Sequence, residues 1–334
     1  MKLTIPPGYK PCLDVRKTEA AIPKIKHFFQ EHLAENLNLE RASAPLFVKA
    51  GTGINDDLNG TERKVGFVVK DDNGVRAEVV NSLAKWKRIA LARYGYNQGE
   101  GIWTDMNAIR PDEELDNIHS LYVDQWDWER VISVQERTEK FLHKIVHRIF
   151  DAIIKTERMI GKEYGIAQVL PEQIQFLTTS ELEEKYPNLS RKEREDTAAK
   201  LFGAFFLMKI GLPLKDGISH DGRAPDYDDW NLNGDIIVFN PILQNALELS
   251  SMGIRVDKDA LMTQLRASGS LDRVELEFHK MLLSDQLPLS IGGGIGQSRL
   301  SMFLLKKAHI GEVQASIWPA DMIAELEKNG IKLL

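Results

Sequence analysis

The stretch S-I-G-G-G-I-G-Q-S-R-L, residues 290–300, sets four glycines within five positions just ahead of an apolar-periodic run, Leu300–Leu305. It reads as a strand, a tight glycine turn and a helix whose first turn carries Arg299. Glycine lets the backbone approach a ligand closely and take positive φ, and a helix N-terminus is a natural anion site. The expectation is a nucleotide pocket with Arg299 as its most informative residue. Two familiar nucleotide motifs do not fit. A dinucleotide fingerprint needs Gly or Ala at its sixth position, where this chain has Gln297 or Arg299 depending on the starting glycine. A P-loop needs Gly-Lys followed by Ser or Thr, and the chain has no such triplet.

The 334 residues carry a net charge of −6, with 43% hydrophobic and 28% charged residues, an ordinary balance for a soluble enzyme. No run of about 18 apolar residues offers a membrane span, and M-K-L-T-I-P-P-G at the start lacks the apolar core of a signal peptide. Cys12 is the single cysteine, which excludes an internal disulfide and fits a reducing, cytoplasmic location. The acidic balance, with no basic block beyond short runs such as Lys85–Arg88, counts against a tRNA partner. A small anionic substrate needs only a local cationic pocket.

Along the chain, residues 15–39 read as an amphipathic helix built on Ile22, Ile25, Phe28, Phe29, Leu33 and Leu37. Its regular part is expected to begin at Pro23, and it leads to a strand containing Pro45. Gly51–Gly60 is a loop with Asp56 and Asp57, and residues 65–70 and 76–80 form a hairpin around D-D-N-G. Ser82 is expected to cap the next helix, where Lys85, Lys87 and Arg88 read locally as a solvated basic face. Gly101–Arg110 is a strand and Ile118–Asp127 its return. Period two places Gln125, Asp127 and Glu129 on one face, with Trp126 and Trp128 packing on the other. The Arg110 guanidinium suits bidentate bonds to phosphate and carboxylate.

Residues 133–164 read as one long helix or a pair, and His143 with His147 lacks a nearby third metal ligand. Strands at Ile174–Thr178 and Ala204–Ile210 flank a charged helical stretch, Glu181–Lys200. R-A-P-D-Y-D-D-W, residues 223–230, reads as a loop. Asn240-Pro241 marks a hairpin turn. If the turn centres between Pro241 and Ile242, Asp235 faces Glu248 and Asn233 faces Ser250, all on one side. Facing carboxylates repel unless a cation lies between them, and Mg²⁺ uses one or two carboxylates plus substrate phosphates. A one-residue slip would break that pairing.

G-x-G-x-x-R at a strand–helix junction resembles motif 3 of the class II aminoacyl-tRNA synthetase fold. The strand pair ending in Arg110 resembles motif 2, and the helix followed by L-E-R-A-S-A-P-L resembles motif 1. The segments S-L-A-K-W-K-R, R-P-D-E, Y-V-D-Q-W-D-W-E-R, R-A-P-D-Y-D-D-W, L-N-G-D-I, A-L-E-L-S-S-M-G-I-R-V-D and G-G-G-I-G-Q-S-R-L together resemble the ammonia-dependent, A-type asparagine synthetase family over nearly the whole chain. One departure is the short N-L-N-G-D connection after Trp230, where that family often has a longer insertion.

The resemblance implies an α+β fold: a single class II synthetase-like catalytic domain over residues 1–334, with a large, mostly antiparallel sheet flanked by helices. It implies a homodimer formed through motif 1. The implied reaction joins aspartate and ammonia at the expense of ATP, through β-aspartyl-AMP, to give asparagine, AMP and pyrophosphate. In that scheme Arg110 holds the α-phosphate and the activated carboxylate, and Arg299 stacks on adenine and reaches the phosphates. Asp235 and Glu248 carry Mg²⁺, and His119, Ser251 and Gly294 complete the ATP contacts. Lys87 and Arg255 meet the carboxylates of aspartate, Gln125 and Ser250 add hydrogen bonds, and Asp127 and Asp228 face its ammonium. Asp56 receives ammonium and accepts its proton. With Lys2 after the initiator Met, the chain lacks the cysteine nucleophile of a glutamine-dependent amidotransferase, and no anticodon-binding domain for tRNA is expected.

Overall fold

In the computed structural model, which describes residues 3–55 and 63–334, the first element is helix α1 (Val15–Leu37). Asp14 caps it by accepting from the Lys17 amide, and Thr18, Ala21, Ile25, Phe29, Leu33 and Leu37 form its buried stripe. Their three- and four-residue spacing puts them on one face. The Asp14 cap starts the helix well before Pro23, so the proline lies inside it rather than at its beginning. Strand β1 (Leu39–Arg41) ends before Pro45, which sits in the connection to β2 (Phe47–Lys49) and not in a strand. Proline has no N–H to give a ladder, and here the chain passes from one sheet to another.

There follow β3 (Gly66–Val69), β4 (Val75–Val79), α2 (Ala84–Tyr94), β5 (Gly101–Ile109), β6 (Tyr122–Val131) and α3 (Glu139–Tyr164). Next come β7 (Gln175–Thr178), α4 (Thr179–Lys185), α5 (Arg191–Phe202), β8 (Ala204–Met208), β9 (Asp228–Asn240) and β10 (Asn245–Arg255). The chain closes with α6 (Lys258–Ala267), α7 (Glu277–Leu283), β11 (Ser290–Gly296), α8 (Gln297–Leu304) and α9 (Ala320–Lys328). Among the described residues, eight strands form one sheet in the order β1-β5-β6-β11-β10-β9-β8-β7, and β2-β4-β3 form a smaller one. The large sheet is antiparallel except at its two edges, where β1 runs parallel to β5 and β7 to β8. That is the α+β arrangement the sequence implied.

One face of the large sheet carries Trp126, Trp128, Phe206, Ile236, Val238, Ile291 and Ile295 into a single apolar cluster with α1, α3 and α8. The other face carries α5 over one end and the polar cavity over the middle. Several boundaries differ from expectation for local reasons. The residue before a proline avoids helical φ/ψ, so Tyr186-Pro187 splits the charged stretch into α4 and α5, and Ser190 recaps the second. Ser82 accepts from Ala84 N but stands two residues before the start of α2, where Leu83 holds the cap position. β6 begins at Tyr122 rather than residue 118, because Asp116 accepts from the Ile118 and His119 amides and holds that segment in a loop. Asp228, Asp229 and Trp230 begin β9 instead of ending a loop, so the short connection to Asp235 is continuous strand.

The β9–β10 hairpin turns later than expected. The Asn240 side chain accepts from the Ile242 and Leu243 amides, and Gln244 takes the left-handed conformation, giving a four-residue loop. Glu248 therefore pairs with Ile237. Beyond an irregularity between Glu248 and Ser250, Asp235 pairs with Ser251 and Asn233 with Gly253. Asp235 and Glu248 are thus diagonal neighbours on one face rather than direct opposites, and Asn233 does not face Ser250.

Candidate active site

The glycine-rich stretch is itself a strand, not a turn, and none of its glycines has positive φ. Its side chains alternate. Ile291, Gly293 and Ile295 point to the apolar layer, while Ser290, Gly292, Gly294 and Gly296 lie on the opposite side, where Gly294 and Gly296 line the cavity and Ser290 is buried, donating to Glu129 Oε1. A methyl on Gly292 would lie 2.0 Å from Glu129 Oε2, and one on Gly294 2.3 Å from Gln125 Oε1. Glycine is required because side chains of β6 lean across the strand. The N-terminus of α8 is not free for a ligand anion either. Asp124 fills it, accepting from Ser298 N at 3.0 Å and Ser298 Oγ at 2.9 Å, with Gln314 Nε2 at 3.3 Å and Lys26 Nζ at 3.3 Å.

Over this bare strand lies a cavity of about 590 Å³. Lys87, Arg110, His119, Gln125, Asp127, Asp228, Glu248, Ser251, Arg255, Gly294 and Arg299 all line it. A side chamber of about 310 Å³ shares His119, Glu248 and Arg299 and reaches Asp235. Ser250 lines neither. It is buried without a partner for its hydroxyl, because the irregularity at Leu249 turns it away from the cavity. Asp56 lies outside the described residues.

Two charge clusters divide the cavity. At one end α2 presents Lys87, which is buried against the sheet instead of solvated. Its Nζ donates to Gly293 O at 3.0 Å and lies 3.1 Å from Asp127 Oδ2. Burial pushes the Lys87 pKa down, while the Asp127 charge opposes that. Beside it Arg255 donates to both Glu129 oxygens, at 2.7 to 3.1 Å, and to Asp228. Burial works against the Arg255 charge, but Glu129 and Asp228 outweigh it and hold the guanidinium above its usual range. Lys85 and Arg88 are buried too. Arg88 donates to Pro288 O and Val256 O. Lys85, Arg273 and His279 converge within 3.0 Å of Asp226 Oδ2, fixing the segment that leads into Asp228.

The two arginines of the motif-like segments line the same cavity. Arg110, at the end of β5, lies 3.8 Å from Glu113, and its Nε is buried without an acceptor. Arg299 donates to Glu248 O at 3.3 Å and lies 3.6 Å from its carboxylate. Arg223, which sequence reading missed, donates to Asp235 Oδ1 at 2.6 Å and to Ser251 Oγ. Burial, countered by Arg223 and reinforced by the Glu248 charge, pushes the Asp235 carboxyl upward. His119 binds Asp116 at 2.9 Å at the rim, in a loop rather than on a strand. His143 and His147 pack on Phe176, with ring centroids 3.9 and 5.1 Å away.

Among the described residues no three His, Cys, Asp or Glu side chains converge as a metal cage. Mg²⁺ fits the observed donors on different grounds: two carboxylates on one face, one of them, Asp235, disfavoured as an anion by burial and by the charge of the other, beside a cavity roomy enough for phosphates. The missed residues had weak local signals. Arg223 stands in the segment noted for its aspartates, and Asp124 has the wrong strand parity for the cavity until α8 folds onto it.

A family model described as aspartate–ammonia ligase matches residues 16–330. The chain is 58% identical to the aspartate–ammonia ligase of Clostridium tetani over 334 residues, covering 100% of this chain and 98% of that one. It is 55% identical to the enzyme of the same name from Bacteroides thetaiotaomicron, with 98% of each chain covered. Among solved structures, the Entamoeba histolytica asparaginyl-tRNA synthetase in complex with asparaginyl-adenylate superposes with a TM-score of 0.65 at 15% identity, covering 90% of this chain and 66% of that one. The asparaginyl-tRNA synthetase of Pyrococcus horikoshii gives 0.58 at 16%, covering 91% and 70%. These two likenesses establish the class II synthetase fold. No described helix is long and apolar enough to cross a membrane.

Proposed function

Because the chain belongs to the aspartate–ammonia ligase family, the A-type asparagine synthetases, and its activity is the ligation of ammonia to aspartate, we propose that it works in two steps within the one cavity. The β-carboxylate oxygen of aspartate attacks the α-phosphorus of ATP, and the bond to pyrophosphate breaks. Ammonia then adds to the acyl carbon of β-aspartyl-AMP, a proton is lost, and AMP departs with the carboxylate oxygen. The observation that carries this is the convergence of Arg110 and Arg299 on a cavity that also holds Lys87, Asp127, Asp228 and Arg255.

The residues divide the work by charge. Arg110, with a buried Nε lacking an acceptor, is assigned to the α-phosphate and the attacking carboxylate. Guanidinium offers both oxygens parallel donors and stabilises the charge that builds between them. Arg299 is assigned to adenine and the distal phosphates, with His119, Ser251 and Gly294 beside it. At the far end Lys87 and Arg255 take the carboxylates of aspartate, Gln125 adds a hydrogen bond, and Asp127 and Asp228 face its ammonium. Holding both reactants in one orientation supplies much of the rate, since fixed geometry removes the entropy of encounter. Asp235 and Glu248 are assigned to Mg²⁺, which when bound offsets phosphate charge. Asp56 remains the proposed acceptor of the ammonium proton.

The chain is further proposed to be one catalytic domain, working in the cytoplasm as a homodimer through α1 and β1, with free ammonia rather than tRNA as acceptor. Exposed Leu46, Phe47, Phe67 and Val68 on the small sheet support a partner surface nearby. Aspartate labelled with ¹⁸O in its β-carboxylate tests the route. One label must appear in AMP for each asparagine formed. Label found in pyrophosphate, or none in AMP, refutes attack at the α-phosphorus.

A further inference from the structure

The pair Asp235 and Glu248 already has a cation against it, supplied by the chain. Arg223 Nη2 donates to Asp235 Oδ1 at 2.6 Å, and Nη1 donates to Ser251 Oγ. Ser251 is the cross-strand partner of Asp235. One guanidinium therefore bridges both strands of the hairpin next to the carboxylates assigned to the metal. The Arg223 side chain is 8% exposed, lines the cavity, and keeps its Nε buried without an acceptor. Two of its five N–H donors serve the sheet, and the Nε–H has no acceptor within the described chain.

We propose that Arg223 is the resident counter-ion of the metal site: without nucleotide it neutralises Asp235 and keeps divalent cations out, and it releases Asp235 when ATP arrives. Guanidinium stays charged throughout the working pH range. It and a dication compete for the same carboxylate oxygen, because like charges a few ångströms apart in a partly buried site repel strongly. Phosphate oxygens change the outcome by giving the guanidinium acceptors that suit its fork of donors. Metal entry is thereby tied to nucleotide entry. The inference rests on Asp235 and Glu248 as metal ligands.

The test is Mn²⁺ binding to the full chain without nucleotide, followed by the electron paramagnetic resonance signal of free Mn²⁺. Arg223→Met is expected to bind Mn²⁺ about tenfold or more tightly than wild type, the change that loss of one adjacent positive charge brings. Equal affinity overturns the counter-ion role. If Arg223→Met does not fold, as judged by its melting curve, Arg223→Gln is read by the same titration. Glutamine keeps an N–H for Ser251 but carries no charge, so tighter Mn²⁺ binding supports the proposal and unchanged binding refutes it. Asp235→Asn, titrated with a non-hydrolysable ATP analogue, examines the premise separately. Undiminished Mn²⁺ uptake there removes Asp235 as a ligand, whereas the Arg223 arm bears on the counter-ion alone.

Discussion

Gly294→Ala should leave the fold standing and disable aspartate binding. The added methyl would lie 2.3 Å from Gln125 Oε1 and 2.7 Å from Asp127 Oδ1. Ordinary contact begins at 3.4 Å, so the Gln125 carboxamide must retreat by 3.4 − 2.3 = 1.1 Å. Gln125 is a half-buried side-chain end at the cavity and can move without disturbing the core, whereas Asp127 is buried and held by Lys87 Nζ at 3.1 Å, so the carboxamide takes up the shift. A displacement of about 1 Å in a positioning group costs on the order of 10²-fold in rate, or roughly 2.7 kcal/mol in transition-state binding. Steady-state AMP formation with aspartate varied should show that loss in kcat/KM, with the melting temperature close to wild type. Gly293→Ala is the matched control. Its methyl would meet Met252 Cβ at 2.5 Å and the Ser251 carbonyl at 2.7 Å, neither of which can swing aside. That substitution should lower stability by about 1–3 kcal/mol or more. If Gly294→Ala keeps half its kcat/KM for aspartate, or melts as early as Gly293→Ala, the assignment of Gln125 and Asp127 to the substrate fails.

Arg110→Ala and Arg299→Ala should each lower turnover by about 10²–10³-fold, the cost of removing a preorganised charge donor, without shifting the thermal melt. Near-normal turnover in either variant removes that arginine from its assigned role. Acid stability should depend on His309, whose Nδ1 accepts from Gly311 N at 3.0 Å while burial pushes its pKa down to about 4. The unfolded chain takes up that proton near pH 6.5, so the contribution is whole above that value and fades as pH falls toward 4. Between pH 7 and 5 the loss is roughly 2 kcal/mol. Urea unfolding of His309→Asn at both pH values should show a correspondingly smaller drop than wild type, and an identical drop would refute the assignment.

Much of the fold could be read from period alone. The α1 stripe and the alternation of Gln125 and Asp127 against Trp126 and Trp128 survive in the structure, whereas each motif-like segment differs locally: Pro45 falls outside a strand, the return strand begins at Tyr122 and the glycines form a strand. What sequence concealed was decided by contacts at long range. Lys85, Lys87 and Arg88 read as a solvated face because α2 alone does not show that Asp226, Asp127 and three backbone carbonyls await them. The hairpin register depended on the Asn240 side chain closing a longer loop, which Asn-Pro by itself does not specify. The glycines read as a turn because four together permit one. Their spacing, every second residue from Gly292 to Gly296, also fitted a strand that must stay bare on one side.

That bareness bears on how the enzyme can change. β11 lines the cavity with glycines alone, so its surface offers shape without preference, and the selective groups belong to neighbouring strands and to α2. Substitutions on β6, β10 or α2 could retune which small acid is chosen without rebuilding the platform beneath. A mutation on the platform itself has no such freedom, since any side chain there enters space that another residue already fills.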